Sequence, residues 1–363
     1  MDFTQRRVGI RHDFGDADPP APTDRSAVVV PMTGRDVGGL AAERLFESLA
    51  TLDLSAIVVP VRSPADRLPT VLEWVREFDV PLEPVWCNGP GVEDLLEASE
   101  IEGPVGKGRD VWIGLGLLDD VDYVAFHDAD VRSHETRDVR KLLSPLADGA
   151  SFSKGYYARV ENERLYGRLL RLLYEPLVET LDREHDADVL TYLGSFRYAL
   201  AGEFATTIEL ARSMRLPPRW GLEVGTLGEA YRTVGFPGTV QVDLGRYEHD
   251  HRAVSGPDGL SKMASGVAQA IFRTVEAAGV EPAYEGLRGR YRTVANEFVD
   301  HYGADARFNG LTYDELAERD QVRSYATAIE PPGPDHRLPA WEETSLDPDE
   351  LRAVVAEDLN RVQ

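Results

Sequence analysis

The sequence contains very little cysteine and no long hydrophobic run. Its 363 residues include a single cysteine, Cys87, which excludes an internal disulfide and a metal site built from cysteines. No apolar stretch approaches the length of a membrane span, and the first residues lack the pattern of a signal peptide. We therefore expect a cytoplasmic protein with no membrane span.

Basic residues are also scarce, and lysine is present only at Lys107, Lys141, Lys154 and Lys262. The chain has 63 acidic residues against 39 lysines and arginines, which gives a net charge of -24. A charge of this sign argues against nucleic acid and anionic membranes as partners. Because salt screens the repulsion between the acidic side chains, the composition favours a halophilic cytoplasm.

What the chain does contain is an alternation of strand and helix patterns. Short valine-rich runs at residues 27–31 and 56–61 are each followed by an amphipathic helix, and a third strand pattern lies around residues 82–86. Strands that alternate with helices at this spacing predict a parallel, doubly wound sheet and hence an α/β fold. A hydrophobic content of 42% is enough for one large core.

Composition divides the chain into three parts. Residues 1–25 are acidic and contain prolines, so they predict a tail or a loosely docked arm. Residues 26–260 carry the alternating elements. Residues 261–363 show mostly helical patterns and predict a C-terminal extension that covers the domain or a partner subunit, an arrangement compatible with a homodimer.

Two carboxylates follow the apolar run at residues 124–126. Asp128 and Asp130 stand two residues apart where a buried strand is expected to end. Side chains at this spacing point to one side of a strand, so both can face one Mg²⁺ or Mn²⁺ or the phosphates that it carries. The pattern alone is weak, because a solvated strand end in an acidic protein has the same appearance.

A glycine-flanked lysine precedes this strand. Gly106, Lys107 and Gly108 resemble a phosphate-binding loop, but Ile101 stands where a P-loop requires glycine, and Gly108 stands where it requires serine or threonine. The segment instead predicts the start of a helix. Lys107 would then lie at a helix N-terminus, where an anion is favoured.

Residues 163–181 predict a long amphipathic helix after a strand at residues 152–159. Arg164, Arg168 and Arg171 lie on adjacent turns of this helix and are candidates for an anion site. Pairing of each arginine with a nearby acid is the alternative.

The remaining candidates lie between residues 200 and 251. Residues 200–206 predict a turn before a helix. Glu223, among apolar and glycine neighbours, is either a helix-start residue or a group that faces a ligand. His249 and His251 follow a strand at residues 240–245 and are candidates for one metal ligand and one substrate contact.

Together, several of these segments resemble, in order, glycosyltransferase family 81, the glucosyl- and mannosyl-3-phosphoglycerate synthases. The resemblance covers residues from about 100 to 275, and residues 302–311 also resemble an extension of some bacterial members. The matching stretches are residues 106–108, 126–130, 153–157, 201–205, 221–225, 241–245 and 248–249.

The resemblance implies a GT-A (Rossmann-like) nucleotide-diphospho-sugar transferase fold with a mostly helical C-terminal extension. It implies that Asp128 and Asp130 bind the divalent cation and the donor, with His249 as a further metal ligand. Lys107 would contact the nucleotide or its phosphates. Catalysis would involve Asp130 and Glu223, the latter facing the sugar or the acceptor. Pro31 and Ser63 would line the base and ribose, and Arg168 and His251 would bind the acceptor.

The sequence departs from the family pattern at several positions. Family members carry an acidic residue soon after the first strand, and its equivalent in this chain is uncertain. The loop at Ser63 lacks the aspartate that family members have after the second strand. His251 stands where the family has asparagine, and Leu170 where it has a small polar residue. These departures concern the donor base and the acceptor rather than the fold.

The expected activity is therefore a metal-dependent, retaining transfer of a hexose from UDP-glucose or GDP-mannose to 3-phosphoglycerate or a similar small anionic acceptor. A different acceptor and a non-catalytic nucleotide-sugar-binding protein are the alternatives. A phosphatase with Asp128 as nucleophile is disfavoured, because Arg132 stands where that class has threonine or valine.

Overall fold

The computed structural model describes residues 4–249 and 256–362, with side chains for 4–249 and 260–362. Eleven strands lie within the described residues: β1 Gly9–Arg11, β2 Ser26–Val29, β3 Met32–Thr33, β4 Ala56–Arg62, β5 Leu82–Trp86, β6 Tyr123–Phe126, β7 Phe152–Ala158, β8 Val160–Glu161, β9 Arg164–Leu165, β10 Phe204–Thr207 and β11 Thr239–Arg246. The strands expected at residues 27–31, 56–61 and 82–86 are confirmed as β2, β4 and β5.

The described α-helices are α1 Leu40–Leu49, α2 Leu68–Val75, α3 Pro90–Ala98, α4 Lys107–Leu115, α5 Thr136–Ala147, α6 Glu175–Asp182, α7 Asp188–Leu193, α8 Ile208–Ser213, α9 Leu222–Thr233, α10 Gly256–Ala277, α11 Leu287–Phe308, α12 Glu315–Tyr325 and α13 Pro348–Asn360. Short 3-10 turns occupy Thr23–Arg25, Ala326–Ala328 and Trp341–Glu343, and Leu170–Tyr174 forms one π-helical turn. Among the described helices, none is long and apolar enough to cross a membrane.

One nine-stranded sheet organises the domain, in the order β1-β11-β7-β10-β6-β2-β4-β3, with β5 also paired to β4. Most neighbours are parallel, as the alternation of elements predicts. The predicted parallel pairing does not extend to β10, which runs antiparallel to both β6 and β7. The same strand corrects the expectation of a turn leading directly into a helix at residues 200–206.

The N-terminal arm adds an edge strand that the sequence analysis did not predict. Gly9–Arg11 pairs in parallel with residues 240–242 of β11, so this part of the arm belongs to the sheet. Val8 and Ile10 are buried in the core. The acidic residues of the arm also bind the domain surface, since Lys141 donates to Asp13 at 2.6 Å.

The long helix expected over residues 163–181 is wrong in its first third. Asn162 and Glu163 both have positive φ and turn the chain between β8 and β9. Gly167, also at positive φ, separates this hairpin from the helical segment that continues through α6. The leucine spacing therefore predicted the buried face of the later helical turns. The β8–β9 hairpin replaces the first turn of the predicted helix.

The C-terminal helices pack on the sheet domain. The helix α11 contacts α6, and α13 contacts α3 and β5. Asp358 of α13 is fully buried and accepts hydrogen bonds from the backbone N–H groups of Gly91 and Val92, each at 3.0 Å. The extension thus caps the N-terminus of a helix in the domain, where a carboxylate is favoured.

Candidate active site

The carboxyl end of β6 places Asp128 and Asp130 in the middle of the sheet edge. The strand lies between β10 and β2, and Phe126 at its end stacks on Phe204 with ring centroids 4.3 Å apart. Beyond Phe126, Asp128 and Asp130 are partly exposed at the edge where ligands of open α/β sheets bind, whereas His127, Ala129 and Val131 are buried. The Asp128 side chain is 26% exposed.

Lys107 joins Asp128 to Glu223. Its Nζ lies 2.6 Å from Asp128 Oδ1 and 3.2 Å from Glu223 Oε1. Lys107 is the first residue of α4, and Glu223 lies in the first turn of α9. Two helix N-termini and one strand end therefore meet at a single ammonium group.

Charge compensation shapes the proton affinities of this cluster. Burial alone would lower the pKa of Lys107, but Asp128 and Glu223 outweigh it and raise that pKa. Burial acts to raise the pKa of Asp128, yet the neighbouring Lys107 lowers it overall. Lys107 and Asp128 are therefore a charged pair at neutral pH.

Glycines at two of the matched motifs permit this close approach. A Cβ on Gly108 would lie 1.8 Å from the carbonyl oxygen of Pro217, and one on Gly202 would lie 2.2 Å from Asp128 Oδ2. Arg109 N also donates to Pro218 O at 3.0 Å. A side chain at either glycine would push α4 or Asp128 out of position.

Two further carboxylates, those of Asp130 and Glu203, lie near Asp128. Burial and the adjacent Asp128 raise the pKa of Asp130 to about 7. The same two causes raise the pKa of Glu203 to about 7, and Glu203 is fully buried. Glu203 lies in the matching stretch at residues 201–205, but no role was predicted for it.

A second lysine lies below the cluster. The side chain of Lys154 is buried, and its Nζ donates to the carbonyl oxygen of Ala201 at 2.6 Å. Burial lowers the pKa of this amine to about 8, against an ordinary value of 10.5. Lys154 therefore loses its proton more readily than Lys107, whose pKa is raised.

His249 is brought to the same edge by the backbone. It forms an antiparallel bridge with Val131, the residue after Asp130, and its N–H donates to Glu161 Oε1 at 3.2 Å. Its ring centroid lies 5.7 Å from that of Tyr157. The positive charge of a protonated His249 would lower the pKa of Asp128.

These residues fit a hard divalent cation by their chemistry. Two aspartates and an imidazole are suitable ligands for Mg²⁺ or Mn²⁺, and the raised pKa of Asp130 reports negative crowding that a cation would relieve. Within residues 4–249 and 260–362, no three acidic, histidine or cysteine side chains already converge as a ligand set.

The other expected donor-binding residues differ in position. Pro31 lines a small cavity together with Lys107, Asp128 and Glu223. Ser63 is buried, and its hydroxyl donates to the carbonyl oxygen of Pro64 at 3.2 Å. Its backbone N–H donates to Asn88 Oδ1 at 3.0 Å and its carbonyl oxygen accepts from Trp86 Nε1 at 2.8 Å. Ser63 is therefore held against the end of β5 and is not among the residues that line that cavity.

On the acceptor side, Arg168 follows the β8–β9 hairpin, and its Nε donates to Glu318 Oε1 at 2.6 Å. Arg171 binds the other oxygen of Glu318 at 2.9 Å, and Arg164 lies on β9 instead of beside them. Glu318 could not be predicted as part of this cluster, because nothing near it in the chain marks it. The other expected acceptor residue, His251, lies outside the described residues.

Known proteins resemble this chain over most of its length. No family model matches the chain. The glucosyl-3-phosphoglycerate synthase of Methanococcoides burtonii is 32% identical to it over 376 residues, covering 94% of this chain and 93% of that protein. The chain belongs to the glucosyl-3-phosphoglycerate synthase family. The family member of Persephonella marina is 35% identical over 321 residues, covering 83% of this chain and 79% of its own length.

Solved structures of this family share the fold. Glucosyl-3-phosphoglycerate synthase from Mycobacterium tuberculosis, in complex with Mn²⁺, UDP-glucose and phosphoglyceric acid, matches with a TM-score of 0.58 and 22% identity over 76% of this chain and 89% of that chain. Its complex with Mn²⁺, UDP and phosphoglyceric acid matches with a TM-score of 0.54 and 24% identity over 71% and 80%. The expected GT-A fold and the resemblance to family 81 are confirmed, and the chain is a glycosyltransferase.

Proposed function

We propose that this family member transfers glucose from UDP-glucose to 3-phosphoglycerate, with retention of the anomeric configuration and with Mg²⁺ or Mn²⁺ at the donor. The observation that carries the proposal is the Lys107 ammonium group between Asp128 and Glu223 at the carboxyl edge of the sheet. The names of the relatives from Methanococcoides burtonii and Persephonella marina support this reaction. So do the Mn²⁺, UDP-glucose and phosphoglyceric acid bound by the Mycobacterium tuberculosis enzyme.

Asp128, Asp130 and His249 would hold the cation, which when bound would stabilise the negative charge of the donor diphosphate. Lys107 adds a positive charge at the same end and favours departure of the nucleoside diphosphate. Because Lys107 starts α4, the positive end of that helix dipole favours the same anion.

Glu223 stands on the other side of the lysine. The contact with Lys107 fixes the direction of its carboxylate, which then accepts a hydrogen bond from a hydroxyl of the sugar or the acceptor. Arg168 binds the phosphate or carboxylate of 3-phosphoglycerate by charge-assisted hydrogen bonds. The acceptor hydroxyl is thereby oriented toward the anomeric carbon.

A product assay tests this function. The protein is incubated in multimolar KCl with Mn²⁺ or Mg²⁺ and 3-phosphoglycerate, and with either UDP-glucose or GDP-mannose. We expect a phosphorylated glucosylglycerate from UDP-glucose and little product from GDP-mannose. Preferential use of GDP-mannose would contradict the assigned sugar. Metal-dependent nucleotide binding without any product would instead support the non-catalytic alternative.

A further inference from the structure

One buried carboxylate of the C-terminal extension binds both arginines on the acceptor side. Glu318 of α12 is almost fully buried and accepts from Arg168 Nε at 2.6 Å and from an Arg171 terminal nitrogen at 2.9 Å. The contact joins residues 150 positions apart in the chain. An element outside the sheet domain therefore sets the position of the expected acceptor arginine.

Arg168 and Arg171 differ in burial and in the number of hydrogen bonds that they donate within the protein. Arg171 is buried and also donates to the carbonyl oxygens of Tyr166 at 3.0 Å and Leu165 at 3.4 Å, so the protein occupies both sides of its guanidinium. The side chain of Arg168 is 45% exposed and is bound to Glu318 through Nε. In the part of the chain that the structure describes, the two terminal nitrogens of Arg168 have no hydrogen-bond acceptor.

Arg168 is the exposed cation of this trio. Arg171 has a second carboxylate nearby, because it opposes the rise that burial causes in the pKa of Glu175. Arg168 pairs only with Glu318 among the described residues. Tyr325, at the end of α12, is buried, and its hydroxyl lacks a hydrogen-bond partner among the described residues. Burial raises the pKa of Tyr325 to about 12, and the positive charge of Arg168 opposes that rise.

The position of the trio relative to the donor side follows from packing. Gly167, adjacent to Arg168, lies against the ring of Tyr198, which is 4.7 Å from the ring of Tyr157. Tyr157 in turn neighbours His249. A continuous aromatic layer therefore connects the candidate metal ligand to the segment that carries Arg168.

We propose that α12 forms part of the acceptor site, with Glu318 as a positioning residue that holds Arg168 by its Nε so that the two terminal nitrogens face the anionic group of the acceptor. This inference rests on the proposed function and extends it to the C-terminal extension. Arg171 compensates the Glu318 charge, which keeps the carboxylate from neutralising Arg168. The hydroxyl of Tyr325 is available to the same anion.

Steady-state kinetics of Glu318→Gln test the inference, with KM measured separately for 3-phosphoglycerate and UDP-glucose. We expect the KM for 3-phosphoglycerate to rise roughly tenfold, and the KM for UDP-glucose to change less than about twofold, because only the orientation of the acceptor arginine is lost. Glu318→Asp, which keeps the charge, should recover part of the loss.

Tyr325→Phe removes one hydroxyl without disturbing packing and should raise the acceptor KM by about two- to threefold.

Glu297→Gln is the matched control. Glu297 also joins the extension to the domain, through Arg183 at 2.8 Å, but this pair is exposed, so both KM values should stay at the wild-type level. Thermal unfolding of each variant measures the structural contribution of the contact.

Three outcomes would overturn the inference. They are an unchanged acceptor KM, an equal rise in both KM values that follows the loss of thermal stability, and a fall in the acceptor KM of Glu318→Gln. The last would make Glu318 a competitor of the acceptor. If Glu318→Gln does not fold, the KM values of Tyr325→Phe for 3-phosphoglycerate and UDP-glucose are compared in the same way, and an unchanged acceptor KM overturns the inference. Failure of the proposed function is recognised separately, because the wild type would then neither form product from 3-phosphoglycerate nor bind it in calorimetry with UDP present.

Discussion

The proposed donor and acceptor sides of the site are built in different ways. On the proposed donor side, Lys107, Asp128 and Glu223 come from two helix N-termini and a strand end, and the lysine Nζ lies within 3.2 Å of an oxygen of each carboxylate. On the acceptor side, Arg168 is nearly half exposed and is oriented by Glu318 from a helix outside the sheet. The donor side is thus a product of the sheet, whereas the acceptor side depends on the packing of the extension.

This contrast predicts that donor-side substitutions reduce turnover and that acceptor-side substitutions mainly weaken acceptor binding. The largest effect is expected from Asp130→Ala. Removal of one of the two carboxylates that would hold the cation should reduce turnover by about a thousandfold or more. Activity is measured at saturating UDP-glucose, 3-phosphoglycerate and Mn²⁺.

Asp122→Ala is the control for this variant. Asp122 directly precedes β6 at the opposite end of the same strand and pairs with Arg25 on the surface. We expect the control to keep wild-type activity. Near-normal turnover in Asp130→Ala would remove the metal assignment.

Lys107→Met should lower kcat by about a hundredfold, since it removes the positive charge that supports the leaving diphosphate. It also leaves Asp128 and Glu223 without their shared cation, so the free energy of unfolding should fall as well. The exposed Lys262→Met serves as the control. A loss of stability with an unchanged kcat would show that Lys107 only supports the fold.

Arg168→Ala should raise the KM for 3-phosphoglycerate roughly tenfold or more and affect the KM for UDP-glucose much less. Arg164→Ala is the matched control, because Arg164 lies on the exposed face of the β8–β9 hairpin. Equal effects of the two substitutions would show a general electrostatic attraction of the acceptor instead of a specific contact.

The smallest effect on catalysis is expected from Lys154, whose contribution is best measured as stability. Its pKa is about 8 in the folded state against an ordinary 10.5, so between these values the unfolded chain binds the extra proton. The stability of the wild type should therefore rise with pH through this window relative to Lys154→Met, by on the order of 3 kcal/mol in total. Denaturant titrations of both proteins from pH 7 to 11 measure the difference, and parallel pH profiles would contradict it.

The same contrast explains what could be predicted from the sequence. The donor-side residues follow strand and helix patterns at short range: Asp128 and Asp130 come after an apolar run, and Lys107 and Glu223 follow glycines at helix starts. Local physical chemistry places such residues at the edge of a sheet. Their convergence on one ammonium group, however, required the tertiary structure.

The acceptor side offered much less local information. The leucine spacing over residues 163–181 indicated a helix, but the positive-φ residues Asn162 and Glu163 form a hairpin turn first. The antiparallel strand β10 was missed because its sequence, Phe-Ala-Thr-Thr, is only four residues long and lies directly before a helix. The contact between Arg168 and Glu318 depends on how α12 packs, which no pattern near either residue reports.

A crystal structure of the protein with Mn²⁺ and UDP-glucose tests the central claim most directly, with the metal located by its anomalous scattering. We predict that Mn²⁺ lies between the diphosphate and Asp128, Asp130 and His249, and that Lys107 contacts the diphosphate. A nucleotide bound elsewhere, with Lys107 still held only by Asp128 and Glu223, would contradict the assignment of this edge as the donor site.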